Sequence, residues 1–290
     1  MHSPIKIDSV RVEPFDEIRT GSVETLSQAQ GERNRGEVRL RYEGEGGRLA
    51  VVTLANPAKL NAMSRHMWQQ LRSVFNSVSG NKNVGCVLIL GAPCGDLKAF
   101  SAGGDISKYP SFRFDEAGLR EFHEVDVWGG LNAMLACDVP IIAQIEGSCM
   151  GAGLEMASCC DIRMASASAK FGAPIAKLGF PMAPKEAEVV IRAVGELTAR
   201  EMLLEAAVLD APTMLQRGFL NRVVADADVA NSALQSVNRI LALAPQAARL
   251  NKQTFRGLNT QNPYAYADSS EHKEGINAFI AKRKPDWPKD

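Results

Sequence analysis

The sequence lacks an excess of charge of either sign: 33 Lys and Arg side chains balance 33 Asp and Glu. Binding nucleic acid across a whole surface needs a basic surplus to neutralise phosphates, so no nucleic-acid partner is expected. No run of about 18 apolar residues occurs, so no membrane-spanning helix is expected either. The first 20 residues, MHSPIKIDSVRVEPFDEIRT, contain no apolar core of a secretory signal, and Asp8, Glu13, Asp16 and Glu17 speak against a transit peptide. No CxxC pair exists among Cys86, Cys94, Cys137, Cys149, Cys159 and Cys160. Most of these thiols sit in apolar runs, where cysteine behaves as a small hydrophobe. The expectation is a reducing, cytoplasmic compartment, with no metal site and no cofactor.

Several familiar site motifs are also missing. Nothing matches the GxxxxGK[ST] phosphate loop, and Gly147, Gly151 and Gly153 are not spaced as GxGxxG. Ser148 is followed by Cys149 and Met150, so there is no GxSxG nucleophile elbow. His2, His66, His123 and His272 are scattered and form no HExxH pair. Each reads as a surface or satisfied core histidine.

What is present is a regular alternation. VRLRYEG and GGRLAVVTLA read as two strands around the EGEGG turn at 43–47. Ser64 is placed to cap a helix running to about Val78. CVLILGA (86–92) and PIIAQIEG (140–147) are continuous apolar runs suited to buried strands. Leu119–Ala136 is long enough for a helix, Gly151–Ser158 fits a short one, and CDIRMA starts another strand. Beyond Lys185 the pattern is helical, with breaks expected at Gly195, Pro212, Gly218 and Pro245. The fold class is therefore α/β with a helical appendage. Periodicity alone does not separate a doubly wound sheet from a superhelical stack.

Two glycine-flanked turns carry the candidate chemistry: KAFSAGGDI (98–106) and EGSCMGAGLEMA (146–157). Minimal side chains let backbone approach a ligand. The second turn opens a helix, whose first N–H groups are unpaired and carry partial positive charge. N–H groups from two such turns can together hold a developing oxyanion. Taken alone, each turn is also explained by close packing.

Together with NPAKLNAM (56–63), PIIAQIEGSCMGAGLEMASCCDIRMAS (140–166), KFGAP (170–174), KLGFP (177–181) and EGINAFIAKRKPDW (274–287), these turns resemble the crotonase superfamily of enoyl-CoA hydratases and isomerases. The motifs follow the family order over residues 38–290. The resemblance implies a crotonase-like superhelix of ββα repeats with a C-terminal helical region. Residues 1–37 would form an N-terminal arm, 38–230 the core with the acyl-CoA site, and 231–290 the helical region for trimerisation and for covering CoA. It implies a homotrimer or homohexamer and an acyl-CoA thioester substrate, coenzyme A entering only as part of that substrate. The thioester carbonyl would sit between the backbone N–H groups of Ala102 and Ala152, where loss of one donor typically costs about 3–4 kcal/mol. Ala152 stands where the family usually has glycine and narrows the acyl space. Lys59, Leu60 and Ala62 match the entrance for adenine and pantetheine, and Ala102, Gly103, Gly104, Asp105 and Ile106 line the same binding turn. Phe279 and Lys282 match nucleotide contacts usually lent by a neighbouring subunit.

Hydratases of this family use two glutamates. Glu155 matches the first and, lying between apolar Leu154 and Met156, is placed for a raised pKa and acid–base work. The second is absent: the FGxPE pattern reads FGAPI, so Ile175 holds its position. Glu186 or Glu188 would be a replacement, although a surface helix start explains both more simply; Glu121, Glu124 and Asp126 on the preceding helix are further candidates. The expected activity is that of an acyl-CoA enzyme of the hydratase/isomerase type with Glu155 as acid/base. Alternatives are a single-base 3-enoyl/2-enoyl-CoA isomerase, enolate decarboxylation, thioester hydrolysis, or a non-catalytic acyl-CoA binding protein.

Overall fold

Apolar residues alternate along the strands so that each face of the central sheet meets a different partner. A computed structural model describes residues 36–258 and 261–287. The expected arm lies almost wholly outside them. The strands β1 (Glu37–Glu43) and β2 (Leu49–Ala55) form the antiparallel pair expected around the 43–47 turn. Helix α1 (Arg65–Gly80) starts at Ser64, whose Oγ accepts the Met67 N–H at 3.3 Å. There follow β3 (Cys86–Gly91), β4 (Ala99–Ser101), α2 (Glu116–Glu121), a π-helical stretch (Phe122–Val127) and α3 (Trp128–Ala136). Then come β5 (Ile141–Ile145), β6 (Ser148–Met150), α4 (Ala152–Ser158), β7 (Ile162–Ser166) and β8 (Lys170–Gly172). The remainder is α5 (Pro184–Val194), α6 (Glu196–Leu204), β9 (Val208–Asp210), α7 (Ala211–Gln216), β10 (Arg222–Val224), α8 (Val229–Leu241), α9 (Pro245–Phe255) and α10 (Ser270–Ile280).

Two sheets result, ordered β1-β2-β3-β5-β7-β10 and β4-β6-β8-β9. Each of β3, β5 and β7 enters the first sheet, and the strand after it (β4, β6, β8) enters the second. All these pairings are parallel, with Val87 opposite Ile141, Ile142 opposite Ile162, and Ala99 opposite Ser148. Two strands per repeat, one in each sheet, separated by helix, are the expected superhelical ββα stack.

On one face of the first sheet Ala50, Val52, Leu54, Val87 and Ile89 join Trp68, Leu71, Phe75 and Leu131 in the main core. On the other face Leu49, Val51, Cys86, Leu88, Ile142 and Met164 meet Ala233 and Val237 of α8. Full burial of one such side chain contributes about 1.5–3 kcal/mol. Helix α8 thus packs on the sheet, although a boundary at 230 assigns nearly all of it to the helical region. As expected, the helical run is interrupted around Pro212 and Pro245, each of which sits at the start of a new helix. Each occupies a first-turn position, where the missing N–H has no partner to lose. No described helix is long and apolar enough to cross a membrane, and all six cysteines are free thiols.

Candidate active site

The two glycine-flanked turns leave the carboxyl ends of neighbouring parallel strands, β4 and β6. Their contact is close: a Cβ on Gly151 would lie 3.7 Å from the Gly103 Cα, and one on Gly153 would lie 2.8 Å from the Ser101 carbonyl oxygen. Gly151 has φ 45° and ψ −110°, a conformation other residues enter only under strain, and this turns the chain sharply from β6 into α4. Ala152 is the first residue of α4, and its N–H donates to no protein group among the described residues. The Ala102 N–H donates to the Leu60 carbonyl at 2.9 Å.

That contact ties the first turn to the 56–63 loop. Leu60 and Asn61 there have positive φ, 49° and 58°. The Asn61 amide holds the loop by donating to the carbonyls of Ala92 and Ala99, both at 2.9 Å. Lys59 Nζ reaches Asp105 at 2.7 and 2.9 Å and Ser107 Oγ at 2.8 Å. Burial opposes ionisation of Asp105, but hydrogen bonds from Lys59 and Ser107 outweigh it and hold the carboxyl below its ordinary range. The Asp105 side chain is therefore a clamp between two loops. Ala62 is buried, whereas Ala102, on the first turn, and Ile106 are exposed. Tyr109 closes over this turn so tightly that a Cβ on Gly104 would sit 1.9 Å from its hydroxyl. Phe279 and Lys282 lie at the far end of the chain. Phe279 is 85% exposed, and α10 is anchored through Glu271 to the N–H groups of Gln246 and Ala247, both at 2.9 Å.

Glu155, in the first turn of α4, is buried. Burial, and next the neighbouring Glu186, push its carboxyl well above the ordinary range, against a downward pull from His123. Glu186 is thus no surface residue: it is 4% exposed. The proline at the first position of α5 and a hydrogen bond from the Ala183 backbone, in the manner of a capping box, fix where it points. Its Oε1 lies 2.6 Å from His123 Nδ1. Burial raises Glu186 to about 8 despite the nearby Arg113 cation, and burial lowers His123 to about 4. Both are driven toward their neutral forms and one proton lies between them. Glu188 is exposed on the opposite side of α5.

The other acidic candidates go elsewhere. Asp126 is buried but accepts from Arg65 Nε at 2.6 Å and Gln69 Nε2 at 2.9 Å. Glu121 pairs with Arg65, Glu124 pairs with Lys185, and both glutamates are exposed. Ile175 is half-buried and packs against the main core. His123, expected to be a bystander, instead joins the carboxylates. It lies on the π-helical stretch, a feature that recurs at functional sites because it redirects side chains within a helix.

A buried carboxyl pair, with Glu155 three residues after the free Ala152 N–H at the junction of the two turns, fits the chemistry of an enolate. The enoyl-CoA hydratase/isomerase family model matches residues 44–290. The chain belongs to this family. It is 31% identical over 255 residues to a short-chain-enoyl-CoA hydratase of Clostridium acetobutylicum, covering 82% of this chain and 93% of the relative. It is also 31% identical over 253 residues to a crotonyl-CoA hydratase of Syntrophomonas wolfei, covering 83% and 94%. Among solved structures, an enoyl-CoA hydratase/carnitine racemase from Magnetospirillum magneticum superimposes with a TM-score of 0.81 at 34% identity, covering 87% of this chain and 96% of that one. As a family member the protein is an acyl-CoA thioester enzyme of the hydratase/isomerase type.

Proposed function

We propose that the protein hydrates 2-enoyl-CoA thioesters with two carboxyl groups, Glu186 taking the role that the Ile175 position has lost. The observation that carries this reading is the burial of Glu186 beside Glu155, tethered to His123. Two interacting carboxyls cannot both ionise easily, so their pKa values separate. Glu155, whose carboxyl burial and next Glu186 push up toward its protonated form, is the group that exchanges a proton with the α-carbon. Glu186, in its ionised form, accepts a hydrogen bond from His123 Nδ1–H and takes a proton from the attacking water. The thioester carbonyl is held by the Ala152 N–H and by the Ala102 N–H, which exchanges its Leu60 partner for the substrate oxygen. Charge that grows on that oxygen is stabilised by the Ala152 N–H, the one of the two donors that is already free and fixed in place. Lys59, Leu60, Ala62 and residues 102–106 shape the entrance for the CoA arm.

The same reading makes the protein a cytoplasmic homotrimer or homohexamer. The exposed Phe279 and Ile280 would be covered by a neighbouring copy that receives Phe279 and Lys282 at its CoA site. The test is mass-spectrometric turnover of 2-enoyl- and 3-enoyl-CoA thioesters by the wild type, Glu155→Gln and Glu186→Gln. Water addition lost in both variants, with CoA binding retained, is the expected result. Double-bond migration that depends on Glu155 and survives Glu186→Gln would establish a single-base isomerase instead.

A further inference from the structure

Arg113 follows the turn that Tyr109 closes, its backbone N–H donating to the Tyr109 carbonyl at 2.9 Å. Its guanidinium carbon stands 4.1 Å from the centroid of the Phe180 ring, 4.5 Å from Tyr109 and 5.7 Å from Phe122. These three rings fix where the planar cation sits, and its N–H fork carries five donors to place. Among the described residues no oxygen accepts from that fork and no carboxylate pairs with it, and its nitrogens are not sealed from solvent. Neighbouring cations are satisfied: Lys59 by Asp105, Arg65 by Asp126, Lys185 by Glu124. Phe122, one of its ring partners, packs edge-to-face on His123 with centroids 5.1 Å apart, and Tyr109, another, covers Gly104, so Arg113 stands beside the His123–Glu186 pair and the first turn.

We propose that Arg113 is the anchor for a carboxylate at the far end of the acyl chain, making CoA monothioesters of dicarboxylic acids the preferred substrate class. The guanidinium fork matches a carboxylate with two parallel hydrogen bonds. The aromatic rings hold it at one orientation and reduce the side-chain freedom lost on binding. This inference rests on the acyl-CoA hydratase reading for its kinetic test, and on acyl-CoA binding alone for its equilibrium test.

Two matched pairs of probes serve the kinetic test, five- and six-carbon trans-2-enoyl-CoA thioesters ending in either a methyl group or a carboxylate. Wild-type protein is expected to favour the carboxylate by about tenfold or more in kcat/KM, carried by KM. Arg113→Met should remove that preference and Arg113→Lys should restore part of it, since a lysine keeps the charge without the fork. Calorimetric binding of unreactive hexanoyl-CoA and adipoyl-CoA to the same three proteins should show the same order. Equal affinity of the wild type for both, or a preference that persists in Arg113→Met, overturns the proposal. An equal loss on both probes with a displaced pH profile also overturns it and makes Arg113 a residue that sets the charge of Glu186. Tighter, Arg113-dependent binding of adipoyl-CoA without water addition to any probe upholds the anchor and sinks the hydratase reading.

Discussion

His123 Nδ1 lies 2.6 Å from Glu186 Oε1, and the two residues are 63 positions apart in the chain. The contact joins the π-helical stretch to the first turn of α5, where burial favours the protonated form of Glu186. A base that takes a proton from water must first be ionised. Glu186 is raised to about 8, so kcat/KM for hydration should climb with pH through roughly that value. Removing the Nδ1–H donor in His123→Ala destabilises the charged carboxylate further. The rising limb should move to higher pH, and the rate at pH 7 should drop by about tenfold. A pH–rate profile of both proteins checks this; a limb that stays in place shows that His123 does not tune Glu186.

The same groups predict how stability depends on pH. A carboxyl whose folded pKa is raised contributes stability below its unfolded pKa, near 4.3, and loses it as pH climbs through about 8. Glu186→Gln removes that loss. Its melting temperature relative to wild type should therefore rise between pH 5 and pH 9. A histidine lowered to about 4 works in the opposite direction: its contribution is present above pH 6.5 and is lost as pH falls toward 4. His123→Asn should consequently flatten the acid side of the stability curve. Differential scanning calorimetry across the range separates the two limbs.

Asp126 is a test of the opposite kind, a buried acid with a structural task. It joins α1 to the π-helical stretch through Arg65 and Gln69. Asp126→Ala leaves the Arg65 guanidinium without its buried partner. Arg65 is part-exposed, which screens the loss, so about 1–3 kcal/mol of stability should disappear. Its KM for acyl-CoA and its pH profile should match the wild type. Denaturant unfolding together with steady-state kinetics decides the matter, and a loss of kcat in a stable variant would return Asp126 to the candidate acids.

The legible and illegible parts of the site differ for physical reasons. Both glycine-flanked turns, the Ser64 cap and the apolar strands depend on local chemistry, and each occupies the place its residues imply. Glu186 depends on which face of α5 is covered. Its buried positions, Glu186, Val189, Val190 and Val194, form one helical stripe. That spacing was available in PKEAEVVIRAV and separates Glu186 from Glu188, which falls on the outer face. His123 had no such signal. The stretch from Leu119 to Ala136 is expected to be a helix on its length, whereas residues 122–127 are wound as a π-helix. A wider turn shifts every later side chain around the axis, and it is His123 that reaches the carboxyls while Glu121 and Glu124, the candidates on this helix, are exposed. The Lys59–Asp105 clamp spans 46 residues and follows only from the tertiary contact of two loops.

The contact between the two turns should be more important to catalysis than to folding. Gly151→Ala forces a residue with a side chain into φ 45°, which costs about 1–3 kcal/mol if the backbone holds and turns the Ala152 N–H away if it relaxes. Relaxation of even a fraction of an ångström spoils a donor whose value lies in being fixed beforehand. Hydration should therefore fall by about 100-fold or more, while the melting temperature drops by only a few degrees in a domain of this size. Gly153→Ala approaches the same junction differently, because its new Cβ would meet the Ser101 carbonyl at 2.8 Å and push the first turn from the second. It should lose rate in the same manner although Gly153 has no positive φ to strain. Steady-state kinetics at saturating acyl-CoA, set beside thermal unfolding of both variants, provides the measurement. Rates that fall only in proportion to the folded fraction would mean that the two turns are packed for stability and hold no oxyanion.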